Sequence, residues 1–171
     1  MKTALFWMAV TGWTLGLTVH LLSVFNIDVE DKVPFIWLLH FGIFLVWIPT
    51  VSMLKKTGEL NTASSGPWSL FYTLRQKAPD WVAAIAIGGL IYAVINFLLF
   101  IYMQGGGGTP AVNNGHYYLH NHGTRIRDIT EHEYYHYRAL TVRGFSGHWM
   151  AFYGMAAAFL YPFKKEPQVA Q

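Results

Sequence analysis

Residues 81–103 read WVAAIAIGGLIYAVINFLLFIYM, without one Asp, Glu, Lys or Arg. About 20 such residues carry an α-helix across roughly 30 Å of hydrocarbon. In lipid, a segment like this can satisfy its backbone only as a helix. Three further runs share the pattern: 4–25 (ALFWMAVTGWTLGLTVHLLSVF), 34–54 (PFIWLLHFGIFLVWIPTVSML) and 146–163 (SGHWMAFYGMAAAFLYPF). The expected fold is an all-α integral membrane protein, a four-transmembrane-helix bundle in one domain. The first run is too long and too rich in Trp and Phe for a signal peptide, so it reads as an uncleaved first span.

Composition agrees. Of 171 residues, 53% are hydrophobic and only 12% charged, where soluble domains sit near a quarter charged. The cations flank the runs: Lys2, Lys55, Lys56, Arg75, Lys77, Lys164 and Lys165 on one side, Lys32, Arg125, Arg127, Arg138 and Arg143 on the other. The bias favours both termini in the cytoplasm of a bacterial-type plasma membrane. A net charge of +3 distributed this way gives no reason to expect nucleic acid as a partner. The expected partners are the bilayer and other membrane subunits or a second copy. Without Cys there are no disulfides and no thiolate metal ligands.

The connections differ in character. Residues 26–33 form a tight outer loop. Residues 67–77, with Pro67 at the first helical position, read as an amphipathic helix in the inner interface. Residues 104–145 form an outer module: a Gly-rich exit, a hairpin over 116–121 and 124–129 turning at Gly123, and a helix starting after Thr130. Gly144 or Gly147 is a candidate bend where that helix meets the last span. Gly12/Gly16 and the cluster Gly154/Ala156/Ala157/Ala158 mark close helix contacts.

Two groups of histidines carry possible chemistry. His132-Glu133-Tyr134-Tyr135-His136 matches H-E-x-x-H, in which two His one helical turn apart bind Zn²⁺ and the Glu acts as general base. A third ligand would come from His148, His116, His120 or His122. Against this, Thr130-x-x-Glu133 is a capping box, which accounts for Glu133 structurally and puts His132 in the first turn of its helix.

The second group lies inside the spans. His20, His40 and His148 all sit roughly 5–9 Å below the outer surface at 1.5 Å per residue, with Asn96 slightly deeper. Ionisable residues at that depth are functional candidates. One reading is an interhelical hydrogen-bond set that also uses Tyr92 and Thr18. Another is a Zn, Cu or Fe site on the three imidazoles. A third is bis-His haem between His20 and His40, with room made by Gly16 and Gly42. Arg143 belongs at the headgroups, and Trp149 and Tyr153 fit an interfacial aromatic belt.

The functional expectation is a non-catalytic subunit or binding and assembly module of a membrane complex. The alternatives are a redox or metal-handling protein on His20/His40/His148 and an outward-facing zinc hydrolase on His132, Glu133 and His136.

Overall fold

The computed structural model describes residues 1–59, 68–104 and 107–162; Pro67, Lys164 and Lys165 lie outside them. The chain is mostly helical, with one small sheet: α1 Lys2–Val24, α2 Val29–Lys32, α3 Leu38–Lys56, α4 Trp68–Lys77, α5 Asp80–Met103, β1 Thr109–Asn113, β2 His116–Asn121, β3 Thr124–Asp128 and α6 Glu131–Leu160. Three helices, α1, α3 and α5, are long and apolar enough to cross a membrane.

These three arrange themselves around α6. Each packs on it, and α1 and α3 also pack on each other. The roles divide by burial. Fourteen residues of α6 are buried, including Trp149, Tyr153, Met155 and Phe159. The outward faces of α1, α3 and α5 leave Trp7, Leu15, Phe41, Leu45, Ile91 and Leu98 exposed. That much contiguous apolar surface is foreign to a monomer in water.

Small residues let the helices approach. A Cβ at Gly12 would stand 2.5 Å from the Tyr153 ring, one at Gly144 2.6 Å from the Phe100 ring, and one at Gly147 2.7 Å from the Asn96 amide. Gly144 and Gly147 are therefore contact sites and not bends, and α6 runs through both as one helix. Gly16 faces Trp149 and Met150, so the Gly12/Gly16 spacing serves packing inside this chain.

The module after α5 is a three-stranded antiparallel sheet in the order β1-β2-β3, one strand more than the expected hairpin. The extra turn is at Asn114-Gly115, both with positive φ, the strongest short hairpin signal there is. Pro110 obscured the strand before it, and it is tolerated because β1 is an edge. At the second turn His122 as well as Gly123 takes a positive φ. Leu119 and Ile129 are buried, and β1 and β2 pack on α6. Residues 26–33, expected as loop, contain the single helical turn α2, capped by Asp28 accepting from the Asp31 N–H. The helix expected at 67–77 is present as α4, but Leu74 is buried in a cluster with Leu54, Ala83 and Phe159, so its apolar face packs on protein.

Candidate functional site

Three buried polar side chains, His20, Asn96 and Ser146, converge on one stretch of α6, residues 143–149. His20 of α1 sits with Nδ1 2.8 Å from Ser146 Oγ and Nε2 2.5 Å from Tyr92 Oη of α5. Ser146 Oγ also donates to the Arg143 carbonyl at 3.1 Å. A carbonyl only accepts, so the serine proton points there and Oγ accepts from His20 Nδ1–H. Nε2 then carries the lone pair and accepts from the Tyr92 hydroxyl. The result is a one-way chain, Tyr92 to His20 to Ser146 to the Arg143 carbonyl, that uses both nitrogens of His20. Asn96 completes the level. Its amide donates to the same Arg143 carbonyl at 3.0 Å and to Gly144 at 3.4 Å. Its Oδ1 is buried without a partner among the described residues.

His40 and His148 are not part of this chain. Trp149 Nε1–H donates to His40 Nδ1 at 3.1 Å, which places the proton of neutral His40 on Nε2. His148 Nδ1 lies 3.2 Å from the Gly144 carbonyl and must donate, which in the neutral ring leaves the lone pair on Nε2. Both rings flank Phe145, at centroid distances of 5.9 and 6.5 Å.

This geometry corrects several expectations. Thr18 bonds the Thr14 carbonyl of its own helix at 3.0 Å and takes no part in the set; Ser146 holds that place. Trp149 and Tyr153 are not interfacial: they are 0% and 4% exposed, and Tyr153 Oη donates to the Leu39 carbonyl at 2.9 Å. The reason is that α6 is central, so these two side chains point at neighbouring helices, while Phe152 on the same helix stays exposed. The room assigned to haem at Gly16 and Gly42 is filled by Trp149, Met150 and the Tyr153 hydroxyl. Among the described residues no group of three His, Asp or Glu is arranged to hold a metal ion. His20 has no free nitrogen and His40 offers a proton at Nε2, so these side chains do not fit a haem or metal site together.

The H-E-x-x-H segment opens α6. Thr130 Oγ1 accepts from the Glu133 N–H at 3.2 Å, and Glu133 Oε2 accepts from the Thr130 N–H at 2.8 Å, a complete capping box. Glu133 Oε1 accepts from Arg127 at 3.1 Å. The Thr130 N–H, then the Arg127 guanidinium and the Thr130 hydroxyl, hold its carboxyl below the usual glutamate range. His132 is exposed, while His136 turns towards the bundle and donates through Nδ1 to Asn26 Oδ1 at 3.0 Å. Asn26 holds a positive φ at the end of α1.

Of the loop histidines, His116 and His120 lie on β2 and His122 in the turn after it. An ion cluster that sequence reasoning missed lies nearby: Arg138 Nε is 3.0 Å from Asp28 and 3.8 Å from Glu30, and Glu30 accepts from Trp37 Nε1 at 3.1 Å. Burial pushes the Asp28 carboxyl up, against the pull of Arg138. No protein-family model matches the chain, and no curated protein or solved structure is significantly similar to it.

Proposed function

We propose that the chain is a four-span integral membrane protein with α6 as its central span and both termini on the cytoplasmic side of a bacterial-type plasma membrane. The sheet and the first turns of α6 form an extracytoplasmic cap. Its role is that of a non-catalytic subunit, or a binding and assembly module, of a larger membrane complex. The observation that carries this reading is the fate of the candidate catalytic groups. Glu133 is spent on the cap of α6, His136 on Asn26, and His20 on the chain from Tyr92 to Arg143. Each joins one part of the fold to another, as polar groups in helical membrane proteins commonly do. The buried face of α6 supports its role as a span, because the lipid-facing duty falls on α1, α3 and α5.

Metal analysis and native mass spectrometry together test this. His132→Ala and His136→Ala should each leave the metal content of purified protein unchanged. Protein released gently from its own membrane should run in an assembly larger than one chain. Stoichiometric zinc lost in His132→Ala would instead place a metal site on the H-E-x-x-H segment and contradict the non-catalytic reading of these residues. A chain released as a lone monomer would remove the subunit reading.

A further inference from the structure

The cleft between α3 and α5, floored by α6, is distinct from the His20 chain. It has a volume of about 270 Å³ and is lined by His40, Phe44, Trp47, Phe97, Phe145 and His148. Phe44 is 53% exposed, so the cleft opens on the outer surface of the bundle. An apolar, aromatic pocket with a few placed polar groups is the usual form of a small-molecule site. This volume suits one ring system and is too small for a tetrapyrrole.

The two histidines are set in opposite senses. Trp149 occupies His40 Nδ1, so His40 presents Nε2–H, a donor. The Gly144 carbonyl occupies His148 Nδ1, so the neutral His148 ring presents the Nε2 lone pair, an acceptor. Neither Nε2 is among the buried unpartnered atoms of the described residues. Both rings lie against Phe145, on one cleft. We infer that this cleft binds the aromatic headgroup of a lipid-borne quinol, with one ring oxygen accepting from His40 and a ring hydroxyl donating to His148. The oxidised quinone has acceptor oxygens only, so it engages His40 but not His148. The site therefore prefers the reduced form, and the aromatic walls take the ring faces. This rests on the bundle lying in a membrane, but not on its being a subunit.

The test uses the full chain in nanodiscs of phosphatidylcholine. A decyl-substituted benzoquinone is titrated against tryptophan fluorescence, with Trp47 in the cleft wall as reporter. The corresponding quinol is then titrated anaerobically as a displacer. The expected result is saturable quenching, with the quinol binding about tenfold tighter, the worth of one net hydrogen bond. His148→Leu should abolish the preference for quinol while keeping quinone binding. His40→Leu should weaken both forms about tenfold. Ile85→Ala, in the separate groove between α1 and α5, should change neither. His148→Gln, which restores an acceptor, should recover part of the preference and guards against a folding defect in the Leu variant. Non-saturable quenching, or equal affinities indifferent to both histidines, would overturn the proposal and leave the cleft to acyl chains or a partner helix. The four-span reading would stand in that case, since it rests on the apolar runs of the sequence and the packing of α6 and not on binding.

Discussion

His20 donates to Ser146 and accepts from Tyr92, so His20→Leu strands two hydroxyls on different helices. Hydrogen bonds between membrane helices are worth about 0.6–2 kcal/mol each. A loss of about 1–3 kcal/mol is therefore expected in detergent unfolding, and Tyr92→Phe, which removes only one bond, should cost less. Thr130→Ala removes the cap of α6 and should cost about 1 kcal/mol, read as faster amide exchange over residues 131–135. Glu133 adds a pH signature. Its folded pKa is depressed, so its contribution is complete above the ordinary glutamate value and is lost as pH falls through the folded one. The protection factor at the start of α6, exchange corrected for the intrinsic pH dependence of the amide, should fall on acidification in the native chain and be insensitive to pH in Glu133→Gln. The capping box was legible because it is local: Thr130 and Glu133 are three residues apart, and the chemistry of each is sufficient. The partners of His20 and His40 were not fully legible. Ser146 and Trp149 are more than a hundred residues away, and only the placement of α6 brings them near.

At the scale of elements, close approach depends on what is missing from the glycines. Gly12, Gly144 and Gly147 leave no space for a side chain against Tyr153, Phe100 and Asn96. Gly144→Leu should therefore separate α5 from α6 and lower the melting temperature by several degrees or prevent folding. Gly88→Leu, where a Cβ meets nothing within 4 Å, should fold normally. Size-exclusion profiles and thermal melts of the pair distinguish a packing requirement from a general intolerance of bulk. The lengths and ends of α1, α3 and α5 were close to readable from hydropathy, because each is one apolar run of about 20 residues, whereas the start of α6 was readable from its capping box. Which helix is central was not. Residues 146–163 resemble the other apolar runs, and the difference, that the second half of α6 is buried nearly all round while the rest are buried on one face, is a property of packing. The third strand was in reach through Asn114-Gly115, and Pro110 led away from it.

For the whole molecule, α6 holds the arrangement together. Helices α1, α3 and α5 meet it separately, and the ion cluster of Arg138 with Asp28 and Glu30 ties its outer turns to the loop between α1 and α3. Its first turns carry Glu131, Glu133 and Arg138, and Arg143, Ser146 and His148 follow, so α6, unlike the other three, is not among the helices that composition alone marks as apolar enough to cross a membrane. The central claim is that this helix crosses the membrane as a fourth span. Because the chain contains no Cys, single-cysteine labelling is free of background. Cysteine would be introduced at His122, Lys56 and Ala170 in turn and challenged with a membrane-impermeant maleimide on intact cells and on inverted vesicles. The account predicts labelling of position 122 from outside only, and of positions 56 and 170 from the cytoplasmic side only. Labelling of 122 and 170 from the same side would contradict it.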